Sequence, residues 1–409
     1  MPELIDVAEL IMGQSPPSST YNENGNGVAF FQGKSDFGFR YPTPRLFCSA
    51  PMKLARPRDI LMSVRAPVGP TNIADQECCI GRGLAAIRPR DVDGEFLFFN
   101  LRYIEKFIAS LGTGSTFHAI NKSQLGSVEV NPHGFDISEQ QKIAAVLGLV
   151  QRAIEQQERL IALTAELKKT LLHQLFTQGL RGEPQKETEI GLIPQSWNPT
   201  PLGECCDILG GSLSYTDFLK MASTDEDGTV ECMGVKVSDM NLPGNESRFV
   251  IANLAKRLPV AIAQRKLIPS NTLVFPKRGA AIATNKKRLT TTWTVLDPNL
   301  IGVCAKDTVD SEFLFYWSQT FDLRKITDPG TTPQLNKKDL VPVLLPLPNE
   351  MEEQQEIAHA ISCVDSKLRF HQQKIGSLTD LFRTLLHQLM TAQIRVDQLD
   401  LSHMELRRQ

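Results

Sequence analysis

The sequence predicts an α+β fold in which two globular units are separated by two long antiparallel coiled-coil helices, with a pseudo-two-fold left by tandem duplication. Three observations carry that expectation. Residues 139–181 (EQQKIAAVLGLVQRAIEQQERLIALTAELKKTLLHQLFTQGLR) and 353–395 (EQQEIAHAISCVDSKLRFHQQKIGSLTDLFRTLLHQLMTAQIR) align without a gap at an offset of 214, and the run Thr170–Leu175 returns as Thr384–Leu389. A repeat on that scale sets the architecture before any single residue is considered. Weaker matches precede each copy in the same order: Leu4 with Leu202, Ser35-Asp36 with Ser238-Asp239, Glu95–Phe98 with Glu312–Phe315 and Asn121-Lys122 with Asn336-Lys337. Finally, 409 residues with 41% hydrophobic and 22% charged side chains suffice for two or three domains with real cores.

The expected order is a first globular unit at 1–137 and a spacer helix at 138–180. A lead-in and second unit follow at 181–350, then a second helix at 351–395 and a tail at 396–409. In the second helix Ile357, Ile361, Val364, Leu368, His371, Ile375, Leu378, Phe382, Leu385 and Leu389 alternate spacings of four and three, the seam of a left-handed coiled coil. The first repeats it less cleanly through Ile143, Leu147, Val150, Ile154, Gln157, Ile161, Thr164, Lys168, Leu171 and Leu175. Both seams break with a polar residue at the same mid-helix place, Gln157 and His371. Antiparallel pairing would bring these face to face and fix the alignment. Such a helix of about 40 residues is a rod of roughly 60 Å at about 1.5 Å per residue, long enough to space two heads about one DNA turn apart, some 34–36 Å.

The net charge of −2 is uninformative, but its distribution is not. Nine basic residues lie between Ile251 and Thr290, namely Lys256, Arg257, Arg265, Lys266, Lys277, Arg278, Lys286, Lys287 and Arg288, with no acidic one. Arg40, Arg45, Lys53, Arg56, Arg58 and Arg65 face only Asp59 in the first unit. Such runs attract polyanions and supply phosphate contacts. Each unit also has a small-residue polar loop before its Asn-Lys pair, Gly112–Lys122 and Gly330–Lys337, able to reach phosphates and base edges or simply to turn the chain. The expected DNA-contacting residues are Lys34, Arg65, Ser115, Thr116, Asn121 and Lys122 in the first unit. Those of the second are Lys277, Arg278, Lys286, Lys287, Arg288, Thr331, Thr332, Gln334, Asn336 and Lys337.

No catalytic motif stands out. A phosphate loop around Gly33-Lys34-Ser35 would need glycine at Val28, and Asn131-Pro132-His133-Gly134 lacks the second proline of an amino-methyltransferase motif. The eight cysteines include two adjacent pairs and no C-x-x-C, which fits small reduced hydrophobes better than a metal centre. No apolar run approaches the roughly 20 residues of a membrane span, and the start of the chain lacks a basic-then-apolar leader, so a cytoplasmic location is expected.

Two variable units, each followed by a helix opening Glu-Gln-Gln-x-Ile-Ala and closing Leu-Leu-x-Gln-Leu, with Gly191-Leu-Ile-Pro-x-x-Trp197 leading into the second, resemble the specificity subunit of type I restriction–modification systems. The resemblance covers essentially the whole chain, although no such lead-in precedes the first unit. It implies target-recognition domains with twisted β-sheets, each reading half of a bipartite asymmetric DNA site, and helices that set the gap. It further implies two docked adenine methyltransferase subunits and a motor-nuclease subunit, with S-adenosylmethionine and ATP/Mg on those partners and no cofactor, metal or catalysis on this chain. Segment Asp59–Arg65 resembles the strand entering each recognition domain, with Arg65 answering Lys277. Leu167, Leu172, Leu381 and Leu386 flank the seam and are the expected partner-binding residues. A stand-alone DNA-binding adaptor or repressor on the same duplicated plan is the second reading, and an enzyme acting by itself the third.

Overall fold

The computed structural model describes residues 2–112, 119–131, 133–223, 227–327 and 333–399. The chain divides into two compact units, each of which takes half of each long helix: one joins Met1–Ile161 to His371–Gln409, and the other is Ala162–Phe370. The helices themselves run Ile137–Gln178 and Met351–Met390.

In the first unit a four-stranded antiparallel sheet is ordered Ala8–Met12, Leu84–Pro89, Ile60–Ser63, Thr71–Ile73. Its register sets Leu10 and Ile60 on either side of Ile87. A five-stranded sheet built on Val28–Phe31 and Cys78–Ile80 completes the unit. The second unit repeats the first sheet as Cys206–Gly210, Leu300–Ala305, Leu273–Pro276, Arg288–Thr290, with Arg248–Phe249 added at the edge. Ile208 and Leu273 flank Val303 in the same register. A four-stranded sheet centred on Thr229–Val235 accompanies it.

The weak upstream matches mark equivalent joints. The Leu4 amide donates to Val128 O at 2.8 Å, as the Leu202 amide does to Val343 O at 2.9 Å. Asp36 and Asp239 each cap a 3-10 turn, accepting from the Gln32 and Lys236 amides at 2.7 and 2.9 Å.

One short helix in each unit carries its core, because Gly94–Tyr103 and Ser311–Ser318 are apolar on nearly every face and are buried all round. Phe96, Phe98 and Phe99 pack with Ile143, Leu147, Val150 and Ile154 of the first long helix and Phe382 and Leu389 of the second. Phe313, Phe315 and Trp317 pack with Leu175 and Phe176 of the first long helix and Ile357 and Ile361 of the second. Every predicted seam position is buried or half-buried, and in each unit the two helix halves share one core.

The repeated Glu-Gln-Gln has a physical reason at its first glutamine. Gln140 is buried, accepts from the Asp93 amide at 2.9 Å and donates to Phe135 O at 2.8 Å. Gln354 accepts from the Asp310 amide at 2.8 Å and donates to Pro348 O at 3.2 Å. Asp93 and Asp310 are the N-caps of the two core helices, accepting from Phe96 N and Phe313 N. Each glutamine therefore ties the start of a long helix to the start of the core helix beneath it.

Trp197 of the lead-in is fully buried, edge-on to Phe313 at 6.0 Å. In the first unit the edge-on partner of the equivalent Phe96 is Phe135, at 5.9 Å. Val396, expected in a tail, is instead buried in that unit's core, and the adjacent Asp397 pairs with Lys142 at 2.6 Å.

Candidate nucleic-acid interface

In each unit the chain leaving the central strand is zipped to the segment that opens a short helix. In the first unit Ile60–Ser63 runs on to Arg65, Ile120 N donates to Val64 O at 3.0 Å, and Arg65 bridges Ala119. The next residue, Asn121, caps the helix Lys122–Gly126: its side chain accepts from Gln124 N at 2.9 Å while Gln124 Oε1 accepts from its amide at 3.0 Å. In the second unit Leu335 N donates to Lys277 O at 2.9 Å, Gly279 N donates to Pro333 O at 2.9 Å, and Arg278 bridges Gln334. The Asn336 amide donates to Asp339 Oδ2 at 2.7 Å, opening the helix Lys337–Leu340. Gly279 supplies the positive φ, 64°, that turns the chain away after Arg278.

These zippers bring Arg65 together with the Asn121-Lys122 segment, and Arg278 together with Gln334 and the Asn336-Lys337 segment. Arg65, Asn121, Lys122, Arg278, Gln334 and Lys337 are exposed, and Asn336 is half-buried. The bridges also correct the expected correspondence: Arg65 answers Arg278, and Lys277 answers Val64. The strand registers shift by one residue from the sequence match, which places Lys277 half-buried and Arg278 in solvent.

The basic run of the second unit does not form one surface. Lys287 and Arg288, expected as DNA contacts, are buried inside the unit. Lys287 Nζ donates to Phe321 O at 2.6 Å and Asn285 Oδ1 at 3.0 Å, and lies 4.9 Å from the Phe321 ring centre. Arg288 donates to Lys287 O at 2.8 Å and Met240 O at 3.0 Å. Burial pulls both below their ordinary pKa, Lys287 to about 8 despite the opposing pull of Asp322. A cation enclosed by carbonyl groups serves the fold, so neither side chain is presented at the surface where a polyanion would meet it. Lys286 is half-buried and bonded to Asn241. Lys256, Arg257, Arg265 and Lys266 belong to a different sheet and its helix.

In the first unit Arg40 is held by Glu95 and Arg45 by Asp36. Arg248 holds Glu312, the repeat equivalent of Glu95. No sequence signal separated these paired arginines from free ones, since their carboxylate partners lie 55 and 64 positions away for Arg40 and Arg248. Lys34 is exposed on its 3-10 turn. Ser115, Thr116, Thr331 and Thr332 lie outside the described residues.

Of the expected partner-binding residues, Leu167 and Leu381 are 55% and 46% exposed. Leu172 and Leu386 are half-buried and pack on the core of their own unit, because their face of the helix turns toward the globular domain. Exposed large apolar side chains among the described residues of the long helices that the sequence did not single out are Ile137, Leu149, Leu163 and Phe370.

The family model described as type I restriction modification DNA specificity domain matches residues 2–165 and 194–380, one match for each repeat. The chain belongs to this family. This specificity chain is 43% identical over 175 residues to a putative type I restriction enzyme MjaX specificity subunit of Methanocaldococcus jannaschii, a match spanning 42% of the chain and 41% of that relative. It is 22% identical to the type I restriction enzyme MjaIX specificity subunit of the same organism, across 96% of the chain and 93% of the relative. The crystal structure of a type I restriction-modification S subunit from M. genitalium shares the fold at TM-score 0.61 and 16% identity, covering 95% of the specificity chain and 94% of its own. Among the described residues no group of three or more His, Cys, Asp or Glu side chains is placed to hold a metal ion. Among the described residues no helix is long and apolar enough to cross a membrane.

Proposed function

We propose that this chain is the DNA sequence-specificity subunit of a cytoplasmic type I restriction–modification complex, each unit reading one half of a bipartite, asymmetric site. The observation that carries the reading is the duplicated bridge, Arg65 to Ala119 and Arg278 to Gln334, which presents an exposed arginine beside a polar, helix-opening Asn-Lys segment in both repeats. Arginine there suits bidentate contact with guanine or with phosphate, and the exposed Gln334 side chain suits adenine. Differing residues at the two bridges, Ala119 against Gln334, suit two different half-sites.

On this reading the paired helices set the gap between half-sites and dock two adenine methyltransferase subunits, with a motor-nuclease subunit joining them. S-adenosylmethionine and ATP/Mg belong to those partners, and this chain supplies address and scaffold without catalysis. Leu163, Leu167 and Phe370 in one unit, with Leu149 and Leu381 in the other, offer the apolar area for docking.

The test is methylome mapping in a host expressing the chain with its methyltransferase subunit. The expected result is a split motif with N6-methyladenine in both halves. DNA binding by the chain with no methylation and no co-purifying methyltransferase would favour the adaptor or repressor reading instead.

A further inference from the structure

The place where each globular domain receives the two long helices is built from the same three positions in both units, with different chemistry. In the first unit they are Phe99 of the domain, Gln151 of the first helix and Phe382 of the second. In the second unit they are Tyr316, Asp365 of the second helix and Lys168 of the first. The helix residues correspond at the repeat offset of 214, and Phe99 and Tyr316 at the 217 of the Glu-Phe-Leu-Phe match.

The cation at each junction comes from a different source. In the first unit it is the domain's own Arg102, whose guanidinium lies 5.4 Å from the Phe382 ring and 5.5 Å from the Phe98 ring, with Nη1 donating to Gln151 Oε1 at 3.4 Å. Phe99 and Phe382 meet at 5.9 Å. The residue at the place of Arg102 in the second unit is Gln319, and there the cation is Lys168, brought by the other repeat's helix. Lys168 Nζ pairs with Asp365 at 2.7 Å and lies 5.8 Å from the Tyr316 ring. Gln151, Asp365 and Phe382 are all buried.

We propose that these two junctions form a non-interchangeable contact code that makes unlike helices pair and keeps a second copy of the chain from pairing like with like. Two first helices running antiparallel would bring Lys168 to the Arg102, Phe99 and Gln151 site, two cations without a carboxylate among these positions. Two second helices would bring Phe382 to the Asp365 and Tyr316 site, a buried carboxylate without a cation. The first arrangement crowds two cations into one site and the second leaves buried Asp365 without a cation, whereas unlike pairing puts one cation at each site and gives Asp365 its partner. The code concerns assembly of the chain and stands whether or not the chain reads DNA.

Recoding in the full chain tests it. Lys168→Phe alone strands Asp365 and is expected to lower the unfolding midpoint by roughly 5–10 °C. Adding Asp365→Gln gives the two helix positions of the second junction the residues of the first and removes the stranded carboxylate, so it is expected to recover most of that loss, a strongly non-additive cycle. The double variant also removes the bar to like pairing. Refolded at tens of micromolar and measured by light scattering, it is expected to yield a two-chain fraction at least several-fold above that of the unaltered chain. Additive losses, or the same distribution of species for the two chains, would overturn the proposal.

Discussion

Gln157 Oε1 and His371 Nδ1 meet at 2.7 Å, and the two residues occupy the same position in the two copies of the repeated helix. Two antiparallel copies of one helix have a single place where a residue faces its own equivalent, and here that place is polar in both. A polar pair inside an apolar seam favours one alignment, because any slip separates the partners and sets each against aliphatic side chains.

Leucine at Gln157 or at His371 alone is therefore expected to cost about 1–3 kcal/mol in urea unfolding, since the hydrogen bond across the seam is lost and one polar group is left facing leucine. Leucine at both is expected to restore stability while loosening register, seen as lost hydrogen-exchange protection in the mid-helix amides. Unchanged protection and stability in all three variants would remove the pair from any role in alignment.

Arg278→Ala and Arg65→Ala are each expected to relax one half-site and leave the other intact, at a cost of about 1–3 kcal/mol in binding. Competition binding against single-base variants of the methylated motif reads this directly. Loss of both half-sites from either change would place the arginine in a structural role.

Lys287 makes stability depend on pH. Folding keeps its amine neutral from about pH 8, whereas an unfolded lysine holds its proton to about 10.5. Between those values the unfolded state binds more protons, so stability rises with pH there, by on the order of 2–3 kcal/mol. Lys287→Met is expected to flatten that rise in unfolding titrations from pH 7.5 to 10.5. DNA half-site preference, measured on the folded variant, is expected to stay unchanged, in contrast to Arg278→Ala.

Leu167→Asp with Leu381→Asp is expected to abolish co-purification of the methyltransferase subunit while leaving the unfolding free energy within about 0.5 kcal/mol, as exposed sites do. Leu172→Asp with Leu386→Asp is expected to destabilise both units instead, because a carboxylate there would be pressed into the domain core. Retained co-purification in the first variant would move docking to another surface.

Repeat, helix length and seam were all legible in the sequence. They rest on local periodicity, and a spacing of three and four specifies an apolar stripe whatever the partner. The shared Gln140 and Gln354 could be seen to recur, but their bonds to the caps of the core helices could not. Arg40, Lys287 and Arg288 read as part of a basic surface, and only the tertiary structure took them out of it. Whether a cation is free or enclosed depends on carbonyls and carboxylates tens of residues away. The same holds for Arg278 against Lys277, where a one-residue difference in strand register turns one side chain outward and its neighbour partly in. The sequence by itself determined what repeats and which stripe is buried. The fold decided which charges remain to meet a ligand, because burial is set by long-range packing that no spacing encodes.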